Sequence, residues 1–244
     1  MFQNDPIHIA RLFASGNGRV GYVEQFRWRP CINGDLASAT EATREPANPH
    51  WEVLGTNGVS AGVTFSPGGG IVLTTTTASA DQVIITPHLD TAQSLFAGVK
   101  WNTLDQVAFR AKIKTASAIS DRTHWAGLKL TNTSVVATDN DQLFFRYAAG
   151  TNNGELQLVY SIGGTDYEVD LDLAIAASTE YDLVLAIDSA RKPKAYVNGN
   201  LVFSGERALT TDIDLIPYVG VQADAAAAKA LTVREIWLGK VTND

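Results

Sequence analysis

From Trp51 to Val241 the apolar positions fall in short alternating runs and almost never at helical spacing. Residues 59–65, 71–77, 82–86, 106–114, 125–131 and 142–147 are rich in β-branched and aromatic side chains, and most are bounded by Gly, Pro, Asn or Asp. Each is about the length of one strand. The pattern continues at 155–162, 166–173, 181–188, 194–197, 200–204, 218–223 and 230–241. Strands so regularly spaced, without helices between them, predict an all-β antiparallel sandwich or barrel. The helix-prone run from Asp224 to Lys229 is too short to stand alone, and it reads as a loop or a single turn before the last strand.

The clearest local signal is Asn198-Gly199 between two apolar runs, because both residues tolerate the positive φ that a tight hairpin turn requires. In the strand before it, Tyr181, Leu183, Leu185 and Ile187 share one face by alternation, and Tyr196 is expected across from that stripe on the neighbouring strand.

Residues 1–50 differ in kind. Asp5-Pro6, Gly16-Asn17-Gly18, Arg29-Pro30, Asn33-Gly34, Glu45-Pro46 and Asn48-Pro49 interrupt them at short intervals, leaving brief extended pieces such as 20–28. Phe2, Ile7, Ile9, Leu12, Phe13, Phe26 and Trp28 are together too apolar to be left in water. The segment is therefore expected to be an extended arm (1–50) lying against something, either its own sandwich (51–244), as an extra edge strand, or a neighbouring subunit. Phe13, Phe26 and Trp28 are the expected arm contacts.

Composition narrows the partners. The net charge is −7, which opposes general nucleic-acid binding, since phosphate recognition needs a basic surface. The arm is neutral, with five Arg, no Lys and five acidic residues, so the deficit lies in the rest. One cysteine, Cys31, gives neither a disulfide framework nor metal-ligand spacing. The opening MFQNDPIHIARLF lacks a basic segment followed by an apolar one, and no run approaches the roughly 20 apolar residues of a membrane span. A chain made in a cytoplasm and built into an assembly is expected, with no membrane partner.

The block Leu183 to Asp188 followed by Tyr196-Val197-Asn198-Gly199 resembles the concanavalin-A-like, laminin-G-like jelly-roll family, in which a strand ending in Asp leads to a "Tyr-Val-Asn-Gly" hairpin. Residues 154–171 look like that family's middle hairpin and 233–239 like its closing strand, so the resemblance covers roughly residues 100–241. It implies a jelly-roll sandwich and is nearly silent on function, because the fold carries lectins, hydrolases and inert modules. The layout of a broken arm before a jelly roll resembles tailed-phage virion proteins. That likeness implies a capsid decoration (cement) or tail-associated protein in the virion, assembled in the host cytoplasm. Its partners would be the major capsid protein or other virion subunits, and it would be a homo-oligomer, with a trimer as the expected count.

Candidate chemistry is sparse. Glu168-Val-Asp170-Leu-Asp172 places three carboxylates on one strand face and is the nearest match to the Glu-Asp-Glu strand of laminarinase-type glycosidases, which need an acid and a nucleophile flanking the sugar bond. The third position is Asp and no aromatic cluster adjoins it, so a solvated strand face, with Val169, Leu171 and Leu173 turned to the core, is the favoured reading. Asp139-Asn140-Asp141 could offer calcium ligands but also makes an ordinary turn. His8, His50, His88 and His124 show no zinc spacing, and Gly68-Gly69-Gly70 lacks the Lys of a phosphate loop. Trp101 and Trp125 could stack on sugars, though Trp in a sandwich more often serves the core or an interface. No catalytic residue, metal or cofactor is expected. The leading expectation is a virion structural protein; the alternative is a carbohydrate-binding, lectin-like module.

Overall fold

The computed structural model describes residues 19–27, 51–87, 99–130 and 139–241. They form two eight-stranded antiparallel sheets packed face to face. In spatial order the first sheet holds β14 (Asn200–Ser204), β13 (Pro193–Val197), β12 (Glu180–Ile187), β7 (Gln106–Thr115), β16 (Ala230–Val241), β4 (Ile71–Thr74) and β3 (Val63–Phe65). A further strand, β1 (Arg19–Glu24), also pairs with β16. The second sheet holds β11 (Thr165–Ala174), β10 (Glu155–Ile162), β9 (Gln142–Ala148), β8 (Arg122–Lys129), β15 (Asp214–Ala223), β5 (Gln82–Thr86) and β2 (Glu52–Leu54). The two-residue β6 (Trp101–Asn102) joins it at β15. No helix among the described residues is long and apolar enough to cross a membrane.

Alternation decides which side chains fill the space between the sheets. Tyr181, Leu183, Leu185 and Ile187 point inward from β12, as do Phe109, Ala111 and Ile113 from β7 and Val219 and Val221 from β15. The Asn-Gly turn forms as its sequence predicts, with Asn198 at φ 50° and Gly199 at φ 82°. The register corrects one expectation. Leu183 lies opposite Val197 and Leu185 opposite Ala195, whereas Tyr196 is paired with Val184. Tyr196 therefore stands on the outer face rather than across from the inward stripe, because a neighbour in register shares the face of its partner.

Strand ends also shift for physical reasons. Of 59–65 only the last three residues pair as a strand, since Ser60–Gly62 winds into a 3-10 turn. The strand expected at 218–223 begins earlier, at Asp214, and runs through Pro217. That proline falls between the pairing of Asp214 and Leu215 with β6 and the pairing from Val219 onward with β5, a gap in which a residue without N–H is tolerated. Asp224 to Lys229 is a loop. β2 and β6 have three and two residues, too few for any periodic signal.

The closing strand β16 is the spine of the first sheet. One flank pairs with β7 from Leu231 to Val241, and the other pairs first with β4 and then with β1. A bulge between Val233 and Glu235 frees Arg234, which donates to the carbonyls of Gly68 and Gly69. Gly70 turns here at φ 86°, and a Cβ on it would meet the Val233 carbonyl oxygen at 2.4 Å. The Gly68-Gly69-Gly70 loop is thus a seat for the bulge.

The described part of the expected arm lies on its own sandwich. Val23 is paired with Trp237 and Tyr22 with Leu238. Phe26 is fully buried, its ring centroid 5.2 Å from that of Trp51, and its carbonyl accepts from the Gly70 N–H at 3.2 Å. Phe26 is therefore an internal anchor of this chain, while Phe13 and Trp28 lie outside the described residues. Removing the Phe26 ring should cost about 3–4 kcal/mol. Urea unfolding of Phe26→Ala checks this, and a loss well under 1 kcal/mol would show that β1 is not part of the core.

Candidate functional site

An open concavity lies where β8 begins and β9 ends. It measures about 600 Å³ and is lined by Ile119, Ser120, Asp121, Thr123, Tyr147, Ala148 to Thr151, and Asp224. Backbone hydrogen bonds brace it: Asp224 N–H donates to the Asp121 carbonyl at 2.9 Å and Ala149 N–H to the Arg122 carbonyl at 3.0 Å. Asp121 sits at φ 51°, a conformation Asp tolerates better than most residues. Its carboxylate is largely exposed and 3.8 Å from the Lys229 Nζ. Asp224 accepts from Thr123 Oγ1 at 2.9 Å and from Gln222 Nε2 at 2.7 Å, and Gln82 Nε2 in turn donates to Gln222 Oε1 at 2.6 Å. The lining thus combines the carboxylates of Asp121 and Asp224 and the hydroxyls of Ser120, Thr123 and Thr151 with the apolar surfaces of Ile119, Tyr147, Ala148 and Ala149.

The groove adjoins the outer face of the second sheet, whose rows follow from register. Tyr218, Gly127, Phe144, Val159 and Glu168 form one row, and Gly220, Trp125, Arg146, Gln157 and Asp170 the next. Ile84, Trp125, Phe144, Val159 and Tyr218 make a buried cluster separate from the inter-sheet core, with Leu54 packed on it. The two glycines leave room for it. A Cβ on Gly127 would meet Phe144 Cβ at 2.4 Å, and one on Gly220 would meet Ile84 Cγ1 at 2.7 Å. Lys129 is fully buried here, with its Nζ 5.5 Å from the Tyr218 ring centre. Burial lowers the Lys129 pKa against an opposing pull from Asp139. It pushes the Tyr218 phenol well above its ordinary value, and the Asp139 charge adds to that.

No protein-family model matches the sequence, and no curated protein does. Solved structures match it throughout. A protein of unknown function from Shewanella oneidensis MR-1 superposes with a TM-score of 0.61 at 13% identity, over 100% of this chain and 96% of that one. The carbohydrate recognition domain of Emp47p gives 0.57 at 13%, over 93% and 100%. A Bacillus licheniformis beta-glucanase gives 0.54 at 12%, over 91% and 97%. Together with the two antiparallel sheets, these neighbours decide the architecture. The fold is a concanavalin-A-like jelly roll. At such identities the likeness is one of fold, and the neighbours include both lectin domains and enzymes.

Within this jelly roll the sequence-predicted candidates separate. Trp101 is fully buried between the sheets and Trp125 belongs to the outer cluster, so the two share no platform. Asp139-Asn140-Asp141 is a turn: Asp141 accepts from Thr210 Oγ1 and from Gly163 N–H. The three carboxylates lie on β11, the outermost strand of the second sheet, with Val169, Leu171 and Leu173 packed on the core as expected. Glu168 is held by Arg146 at 2.6 Å. Asp170 and Asp172 gather with Glu155 within 4.8 Å of one another. The Asn152 side chain and the Asp172 N–H hold Asp170 below the usual carboxylate range, the direction opposite to that needed by a general acid. Sequence reasoning missed the groove because its lining comes from three segments far apart in the chain.

His124 faces inward, its ring 5.5 Å from that of Tyr147, beside a small void of about 10 Å³. Its Nε2 has no hydrogen-bond partner. Burial, with a smaller push from the Arg122 charge, drives its pKa down to about 3 from 6.5. His124 is thus neutral in the folded chain across the range in which the unfolded chain takes up a proton. Its contribution to stability is complete above pH 6.5 and is lost as pH falls from 6.5 toward 3, by roughly 1 kcal/mol for each pH unit. Urea midpoints at pH 7, 6 and 5 should fall more steeply for the native chain than for His124→Phe; parallel slopes would mean that His124 is not held neutral. His8, His50 and His88 lie outside the described residues.

Proposed function

We propose that this chain is a non-catalytic, lectin-like module that takes a neutral glycan in the groove between Asp121 and Asp224. The groove carries the reading. A sugar ring offers apolar C–H faces and a rim of hydroxyls, and this cavity is lined both by Ile119, Tyr147, Ala148 and Ala149 and by Ser120, Asp121, Thr123, Thr151 and Asp224, a pairing typical of small-ligand sites. The carboxylates accept from hydroxyls with charge-assisted strength, and together with the net charge of −7 they turn away sulfated or uronic glycans. Jelly-roll neighbours that are carbohydrate recognition domains support the reading by fold. The pairing of Glu168 with Arg146 and the position of Asp170 and Asp172 on an outermost strand support the absence of hydrolysis.

A second proposal, assembly on a virion shell, draws support from the outer edge of β14, which among the described residues is unpaired. It draws less from the arm, since residues 19–27 complete their own chain's sheet. Copurification with particles tests it.

Calorimetric titration with neutral glucans, mannans and galactans, with and without calcium, tests the glycan reading. Binding should weaken about tenfold, or about 1.4 kcal/mol, in Asp121→Asn and further in Asp224→Asn, which also releases Thr123 and Gln222. Heat signals absent for every neutral glycan, or unchanged in both variants, would dismiss the groove as the site.

A further inference from the structure

Two strands, β11 and β14, end their sheets on the same side of the sandwich, where Phe203 of β14 lies 5.8 Å from Tyr160. Among the described residues neither is paired on its outer flank. Open edges invite pairing with another chain, and proteins blunt them with charge, proline or bulges. β11 is blunted by Asp166, Glu168, Asp170 and Asp172. β14 reads Asn-Leu-Val-Phe-Ser, with no charge and no proline, and Leu201 is 40% exposed. A single register shift, between Ala195 and Tyr196, lets the strand twist without covering it. On the outer face, Leu201 continues through Tyr196 to Val184 as an apolar row.

We propose that β14 is a self-association edge, which pairs antiparallel with β14 of a second copy and joins the first sheets of two chains. The strand carries no charge to select a basic or acidic peptide, whereas a twofold axis sets its neutral, apolar residues against the same residues. An isologous pairing of this kind uses up the edge and stops at two copies, so it yields a dimer and not the trimer expected from the virion resemblance. Five residues of edge fall below the roughly 1,200 Å² of a stable interface, which makes the dimer concentration-dependent. The acidic β11 edges lie on the joining side in both chains, so their repulsion opposes pairing and salt should relieve it.

Sedimentation equilibrium from about 1 μM to about 1 mM should show the average mass rising from one chain toward two, and further at higher salt. Leu201→Lys places like charges across the axis and should shift the midpoint upward by at least tenfold. Leu201 points outward, so the circular-dichroism spectrum and thermal midpoint should be unchanged in that variant, and Leu201→Thr should retain most of the association. A mass of one chain throughout, a trimer, or a dimer indifferent to Leu201→Lys would each overturn the proposal.

Discussion

The structure depends on the double pairing of its closing strand. β16 meets β7 along one flank and β4 and β1 along the other, so segments from opposite ends of the described chain are held in one register. That register places Ile236 and Leu238 in the core and leaves Trp237 outside, where the Arg110 guanidinium sits 5.0 Å from its ring. Asp182 grips Arg110 through two bonds of 2.7 Å, and Glu235, which also accepts from Gln25, stands 3.5 Å away. A slip of β16 by one residue would turn Ile236 and Leu238 out of the core and carry Glu235 and Trp237 away from Arg110. The bulge at Arg234 and its glycine seat fix the register against such a slip.

The second sheet departs from the simple picture of one buried and one wet face. Its outer side holds Trp125, Phe144 and Tyr218 in a buried cluster with Lys129, while polar groups gather at its ends. The open groove lies at one of those ends. Rigid strands there carry loops whose side chains differ in chemistry from the sheet, a common way for a stable scaffold to present a binding site.

The two open edges show how composition, rather than geometry, separates a protected strand from an available one. β11 and β14 occupy equivalent places at the ends of their sheets. Four carboxylates make the first unwelcoming to a copy of itself, and the second carries none. An assembly role for this chain would therefore be written in its fourteenth strand more plainly than in its first.

Most strands were legible because a half-buried strand imposes a period of two on its own residues, and this needs no knowledge of neighbours. The runs at 82–86, 155–162, 200–204 and 230–241 appear with the expected bounds, and Asn198-Gly199 makes its turn for a purely local reason. The sequence also marked the carboxylates of β11 as solvated. It was blind to what depends on pairing between distant segments: the outward placement of Tyr196, the tolerance of Pro217 in a gap of the ladder, and the burial of Phe26 against Trp51. The groove is the extreme case, since Asp121, Thr151 and Asp224 meet only because β8, β9 and β15 are neighbours in space. Alternation along a chain is local and can be read from it, whereas register and juxtaposition are decided by hydrogen bonding and packing between strands many residues apart.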